Sequence, residues 1–319
     1  MKKTLLAITL IIVILLPALF KSGYKEETFF AMDTIVTLKV KGDKNNLEKA
    51  QKIIEECHRD YNAYSKNSQV SLLNNTGELL TENTEIYQKA SEYFYETEGA
   101  FDPTVKPLTD LWNITGENPK VPDENNIKDA LENIGGEKLE IKDKIYLKDG
   151  AKLDLGGIAK GYATDKTIKM LKENRVKEFV LNLGGNIYAY SENAPLTIGV
   201  QEPFSARGEL LFTLKISDSA VVSSGTYERY FEENGKFYHH IFDTKTGYPS
   251  QSGISQVTVV GKDCTMCDAF STAILTGGEK LALKLREKYD FEYIILADKT
   301  LAVSDRIEIF DIKDGYVLK

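Results

Sequence analysis

Asp154, Gly156, Gly157, Lys160 and Gly161 fall within the stretch "LDLGGIAKGYATDK" (residues 153–166), just ahead of an amphipathic run. Adjacent glycines let a ligand approach the main chain closely. A carboxylate at Asp154 could accept hydrogen bonds from a ring or a sugar, and the ammonium of Lys160 could meet a phosphate. The helix that should follow would favour an anion at its start. Two nucleotide signatures are excluded. Tyr162-Ala163 stands where a P-loop requires Lys-Ser/Thr, and "LGGN" (183–186) does not supply G-x-G-x-x-G. By themselves the same residues also suit a tight turn with a solvated lysine.

A second group lies in "CDAFSTAIL" (267–275). Asp268 and Thr272 stand four apart and would share one face of a helix. A carboxylate, a hydroxyl and a backbone carbonyl suit a hard cation such as Mg2+, and a capped helix start would use the same residue types. The third group is "YHHIFDTKTGYPS" (238–250), which holds two of the chain's three histidines. On a strand His239 and His240 face opposite ways, so one of them at most enters a given site. His240 with Asp243 could form an acid–base pair. An extra residue between Asp243 and Lys245 separates this segment from the aspartyl-phosphate motif. Lys245-Thr246-Gly247 matches a β-lactamase element, but the S-x-x-K that should accompany it occurs only at Ser22–Lys25, in the flank of the export segment.

These residues need elements to position them. "TFFAMDTIVTLKV" (28–40) reads as a β-branched strand interrupted at Met32-Asp33. Leu47, Ala50, Ile53, Ile54, Cys57 and Tyr61 keep helical spacing, as does Ile86–Tyr95. "YSKNSQVSLLNNTGE" and "PLTDLWNITGENPKVPDENN" read as loops. A short helix and strands near Leu139 and Ile145 follow. A helix over Ala163–Leu171 precedes the strand "EFVLNL", and the C-terminal half is strand-rich. Two helices, near Ala269–Leu275 and Lys280–Lys288, interrupt it. No internal repeat or low-complexity tract appears. The pattern is mixed α+β without regular βαβ alternation.

The 319 residues allow one large domain or two intimate lobes. A net charge of −8 with no compensating basic run argues against nucleic acid as a partner. Lys2 and Lys3 precede an uncharged apolar run from Leu5 to Phe20, closed by Lys21. That is an export signal or an uncleaved membrane anchor over residues 1–21, with the body (22–319) outside the cytoplasm. Cys57 falls on a buried helical position. Cys264 and Cys267 form a C-x-x-C without a second pair to complete a zinc site.

Taken together the blocks "AMDT", "YSKNSQVSLLN", "GAFDPTVKPL", "LDLGGIAKGYATD", "NLGGNIYAY", "IGVQEP", "SSGTYERYF", "HIFDTKTGYP" and "CDAFSTAIL" run in order from about Phe29 to Gly278. They resemble the ApbE family of FAD:protein FMN transferases. The resemblance implies an α+β, T-fold-related body of two lobes with FAD in the cleft between them. It also implies an exported, Mg2+-dependent enzyme that splits the FAD pyrophosphate and releases AMP. FMN would then be joined through its phosphate to a Ser or Thr of a partner flavoprotein. Such acceptors would be subunits of membrane redox complexes or exported reductases.

Carried over by position, Met32, Tyr64, Ala100, Phe101, Asp102, Asp154, Lys160 and Phe242 should contact FAD, Phe242 mainly by its backbone. Gly157 through its carbonyl, with Asp268 and Thr272, should hold the metal. His240 should be the acid–base residue that activates the acceptor hydroxyl. Three departures stand out. Ser271 replaces an Asp that some members carry just before the metal-binding Thr, which favours one metal ion over two. Thr244 replaces a frequent Pro, which should matter only to the turn. The N-terminal segment offers no Cys for a lipid anchor. Two other readings share the same pocket: an exported protein that only carries FAD, and a Mg2+-dependent pyrophosphatase that releases FMN and AMP to water.

Overall fold

A computed structural model describes residues 23–206 and 208–319. The signal or anchor expected over 1–21 lies outside them. Among the described residues no helix is long and apolar enough to cross a membrane.

Strands β1 (Tyr24–Ala31) and β2 (Thr34–Lys41) pair antiparallel. The interruption at Met32-Asp33 is their hairpin turn, with φ of +53° and +56°, the left-handed pair whose twist suits adjoining strands. Helix α1 (Asn45–Tyr61) buries Leu47, Ala50, Ile54, Cys57 and Tyr61, as its apolar spacing predicts. Helix α2 (Gln69–Thr76) occupies part of an expected loop. The reason is local: the Ser71 N–H donates to Ser68 Oγ at 2.9 Å, and Gly77 closes the helix at φ +78°. Strand β3 (Glu78–Leu79) and helix α3 (Glu85–Glu96) follow.

Helix α4 (Lys106–Trp112) also stands where a loop was expected. Pro107 in its first turn is compatible with helix, and the wholly buried Trp112 anchors its end. Helix α5 (Glu124–Leu131) leads to β4 (Leu139–Ile141) and β5 (Ile145–Leu147). Helix α6 runs over Ala159–Glu173, so it begins before the predicted Ala163 and takes Lys160 and Gly161 into its first turn. The strands β6 (Glu178–Leu183), β7 (Asn186–Ser191), β8 (Leu196–Gln201), β9 (Leu210–Ile216) and β10 (Asp218–Gly225) come next. Two short hairpins, β11 (Tyr230–Glu233) with β12 (Lys236–His239) and β13 (Phe242–Asp243) with β14 (Tyr248–Pro249), precede β15 (Ile254–Gly261). Helix α7 (Cys264–Arg286) joins the two predicted C-terminal helices, which abut at Gly278 (φ +74°, ψ −174°). Strands β16 (Phe291–Ala297), β17 (Thr300–Val303) and β18 (Val317–Leu318) end the described chain.

The main sheet has the order β1-β2-β6-β7-β10-β15-β16-β17-β18, antiparallel except for its last pair. One face of it carries α1, α6 and α7 over the larger apolar core. The other is covered by the β8–β9 hairpin and C-terminal residues around Ile307–Ile312. A smaller lobe gathers α4, α5 and the β11–β14 hairpins around Trp112. The indole Nε1–H donates to the Gly247 carbonyl at 2.9 Å and so closes that lobe. The fold is therefore mixed α+β with two lobes, as expected.

Helices α6 and α7 approach until main chain meets main chain. A Cβ on Gly161 would sit 2.3 Å from the Cys264 carbonyl oxygen. The start of α7 is capped twice. Asp263 Oδ1 accepts from Met266 N at 2.8 Å, and the Asp165 carboxylate of α6 accepts from Cys264 N (2.9 Å) and Thr265 N (2.8 Å). Each such cap contributes about 1 kcal/mol. Together they fix the first turn of α7 immediately before Asp268.

Candidate active site

The glycine-rich loop, the first turn of α6, the N-terminal half of α7, the end of β10 and the 239–247 segment meet at one place. Asp268 is buried. Its Oδ2 accepts the Gly161 N–H at 2.9 Å, and its Oδ1 lies 3.6 Å from Lys160 Nζ. The same ammonium donates to the Gly156 carbonyl at 3.1 Å. One turn further along α7, Thr272 Oγ1 lies 3.3 Å from Ser224 Oγ, which also bonds Ser271 Oγ at 2.8 Å. Gly157 is the neighbour of Thr272: a Cβ there would be 3.7 Å from Thr272 Oγ1 and 3.3 Å from the Phe101 ring.

The hydroxyl of Thr272 lies beside Gly157 and 3.4 Å from the Asp268 carbonyl, with the Asp268 carboxylate one turn earlier on the same helix. All are hard oxygen donors, which suits Mg2+ and not a soft metal. Ser271 spends its hydroxyl on Ser224 and on the Asp268 carbonyl. Among the described residues no three His, Cys, Asp or Glu side chains gather as a metal site. Cys264 and Cys267 are buried and free, and burial raises both thiols well above their ordinary range. They are packing residues at the start of α7.

The other end of the loop builds a flat platform. Tyr64 is 60% exposed, yet its hydroxyl donates to Asp154 Oδ2 at 3.1 Å and Lys106 Nζ lies 4.0 Å from its ring centroid. Asp154 Oδ1 accepts from Gly156 N at 2.9 Å. A fixed, exposed ring is suited to stacking on a planar ligand. Phe101 is buried between this loop and residues 97–100: its N–H donates to Thr97 Oγ1 at 3.0 Å. Ala100 is pinned by its carbonyl to Thr276 Oγ1 (3.2 Å). Thr244 does more than shape its turn, because its hydroxyl donates to the Gly99 carbonyl at 3.0 Å and ties the histidine segment to this loop.

Asp102 is placed differently. Its Oδ1 accepts from Thr104 N (2.7 Å) and Thr104 Oγ1 (2.6 Å), and burial pushes its carboxyl up to about 6. Phe242 turns its ring into the Trp112 core, 5.9 Å between centroids, and its backbone pairs with Pro249 across β13–β14. Met32 sits at the left-handed tip of the first hairpin, where its N–H donates to His58 Nδ1 at 3.0 Å.

The paired histidines divide as strand geometry predicts. His239 is buried, with Nε2 on the Ser250 carbonyl (3.0 Å) and Nδ1 accepting from Ile241 N (3.3 Å). His240 Nδ1 lies 3.3 Å from the Arg229 carbonyl. A carbonyl only accepts, so Nδ1 carries the proton and Nε2 keeps a lone pair. Burial, with the Arg229 charge beside it, lowers His240 to about 3, so the ring is neutral. The expected His240–Asp243 pair is not formed. Asp243 Oδ1 instead accepts from Lys245 N at 2.9 Å, as an Asx turn does.

Glu228 and Ser224 join this site without having been singled out by spacing. Glu228 Oε1 is buried without a hydrogen-bond partner. Burial raises its carboxyl to about 7, against the charges of Lys160 and Arg229 and with that of Asp268. Both residues lie in "SSGTYERYF", some 40 positions from α7 in the chain, so only tertiary contact brings them here.

The model of the ApbE family matches residues 32–295. A FAD:protein FMN transferase from Klebsiella pneumoniae is 34% identical over 227 residues, covering 69% of this chain and 71% of its own length. One from Treponema pallidum is 29% identical over 252 residues, 71% of this chain and 70% of its own. The crystal structure of the ApbE protein from Thermotoga maritima superposes with a TM-score of 0.80 at 30% identity, over 90% of this chain and 97% of that one. At 24% identity the Pseudomonas stutzeri flavinyl transferase shares the fold, with a TM-score of 0.76 over 92% and 95% of the two chains.

Proposed function

The chain belongs to the ApbE family and is a transferase, and we propose that it moves FMN from FAD to a Ser or Thr hydroxyl of a partner flavoprotein, with Mg2+ held by Asp268, Thr272 and the Gly157 carbonyl. The observation that carries this reading is His240. Its Nδ1 is committed to the Arg229 carbonyl and its Nε2 is free to take a proton. A protein that only stored FAD would have no use for an imidazole oriented with an unprotonated Nε2.

The bound cation would neutralise pyrophosphate charge as phosphoryl transfer develops. The protein's own groups do the rest. Tyr64, fixed by Asp154 and Lys106, offers its ring to the isoalloxazine. Lys160, beside Asp268, is in reach of the phosphates. His240 Nε2 accepts the acceptor hydroxyl proton as that oxygen attacks the phosphorus of the FMN half. The bond from this phosphorus to the bridging oxygen breaks, and AMP leaves with the electron pair. Acceptor, FMN and AMP together account for every atom of the substrates, and the proton stays on His240 until water removes it.

The expected location is outside the cytoplasm, at the membrane if residues 1–21 remain as an anchor, with acceptors among membrane redox subunits or exported reductases. The test mixes the purified body with FAD, Mg2+ and a flavoprotein acceptor domain and reads the intact mass of the acceptor. A gain of one FMN that chelation abolishes supports transfer. FMN and AMP in solution without that gain would make the protein a pyrophosphatase, and bound FAD with neither product would make it a carrier.

A further inference from the structure

Lys160 lies within an unbroken chain of contacts. At one end the Tyr64 hydroxyl donates to Asp154 Oδ2 at 3.1 Å. The other oxygen of that carboxylate accepts the Gly156 N–H at 2.9 Å, and the Gly156 carbonyl accepts from Lys160 Nζ at 3.1 Å. The same ammonium stands 3.6 Å from Asp268 Oδ1, while the Gly161 N–H holds Oδ2 at 2.9 Å. Asp268 therefore cannot turn away from Lys160 without giving up the Gly161 bond. Lys160 in turn is tethered to its own loop. The chain runs from the aromatic platform to the carboxylate assigned to the metal, and one ammonium joins its two halves.

That position gives the lysine two opposed effects. The Asp268 side chain is 4% exposed and that of Lys160 24%, so water and salt screen their charges poorly. A cation arriving at Asp268 meets an ammonium already beside that carboxylate, and the two positive charges repel. A pyrophosphate reverses the balance. It brings negative charge to the first turn of α6, where a lysine is a natural phosphate partner. Cation and ammonium then share the phosphate charge instead of competing for one carboxylate.

Resting on the transferase reading above, we propose that Lys160 makes the binding of Mg2+ and of FAD mutually dependent. It opposes a cation at Asp268 while the pyrophosphate is absent and ceases to oppose it once the pyrophosphate is bound. The protein alone then holds Mg2+ weakly, and metal and dinucleotide load as a pair. Linkage makes the effect reciprocal: the factor by which FAD tightens Mg2+ is the factor by which Mg2+ tightens FAD. A lysine that merely touched a phosphate would leave the binding of Mg2+ alone untouched.

Isothermal titration of Mg2+ into the purified protein, with and without saturating FAD and with no acceptor present, measures this coupling directly. Wild type is compared with Lys160→Met, Lys160→Arg and Lys169→Met, the last removing an exposed lysine from the same helix. FAD should tighten Mg2+ binding by wild type at least about tenfold. Lys160→Met should bind Mg2+ alone at least about fivefold more tightly than wild type, and FAD more weakly. A general loss of structure would not produce those opposite signs. Lys160→Arg keeps the charge and should keep Mg2+ alone weak, and Lys169→Met should match wild type. Mg2+ alone bound no more tightly by Lys160→Met would overturn the proposal and leave the transferase reading standing. So would equal Mg2+ affinity of wild type with and without FAD. Wild type that takes up no Mg2+ under either condition would overturn the metal assignment, and the proposal with it.

Discussion

Lys160 and Gly161, neighbours in the first turn of α6, address the two oxygens of Asp268 separately: the ammonium stands 3.6 Å from Oδ1, and the backbone N–H donates to Oδ2 at 2.9 Å. Asp268 is therefore a structural acceptor as well as the proposed metal ligand. Asp268→Asn should keep the Gly161 bond and lose Mg2+-dependent turnover. Asp268→Ala should also lose stability, on the order of 1–3 kcal/mol, by stranding a buried N–H. Ser271→Ala should reduce turnover far less than either. Thermal melts beside Mg2+ titrations of turnover separate the effects; equal losses of turnover at 268 and 271 would refute the one-metal assignment.

The two histidines should fail in opposite ways. His240→Ala should leave FAD bound and the fold intact while transfer falls by about 10²–10⁴-fold. His239→Ala removes a side chain bonded at both nitrogens, so its defect should be in stability. FAD titration, melting and acceptor mass measured on both variants decide this. Undiminished transfer by His240→Ala would remove that residue from the mechanism.

His240 also sets a pH dependence. Its folded value, about 3, lies below its unfolded value near 6.5. Between those limits the unfolded chain binds the extra proton, so stability falls as pH drops from about 6.5 toward 3. His240→Gln should flatten that slope in urea unfolding measured across the window. An unaltered slope would mean that the imidazole titrates normally.

Asp102 has the opposite sign. Its folded carboxyl titrates at about 6, above the unfolded value of 3.8. The folded state then binds more protons between these limits, and stability falls as pH rises through them. Asp102→Asn keeps an acceptor for Thr104 and sheds the buried charge. It should stabilise the protein at pH 8 by about 2–3 kcal/mol and leave it unchanged near pH 4. Destabilisation at pH 8 would mean that the charge itself is needed there.

Two neighbouring glycines should differ sharply. Gly161→Ala drives a methyl to 2.3 Å from the Cys264 main chain, where neither helix can yield, and should cost about 3 kcal/mol or more. Gly157→Ala meets only the Phe101 ring at 3.3 Å and Thr272 at 3.7 Å and should fold normally. Comparative melting of the two proteins checks this.

The sequence by itself determined the α+β class, most strands, the apolar face of α1 and the helical juxtaposition of Asp268 with Thr272. These are local consequences of periodicity, and a four-residue spacing on a helix needs no tertiary knowledge. It misread α2 and α4 as loops because polar caps and turn residues outweighed short apolar stripes. Helix α2 is held by its own Ser68 cap and Gly77 stop, whereas α4 is anchored by the long-range bond of Trp112 to Gly247. It also left His240 paired with Asp243, three residues away, whereas the imidazole is oriented by Arg229 across a hairpin. Only the tertiary structure joined Glu228 and Ser224 to α7 and divided the work of the two histidines. Those relations depend on which strand lies beside which, and no periodicity within a single segment encodes that.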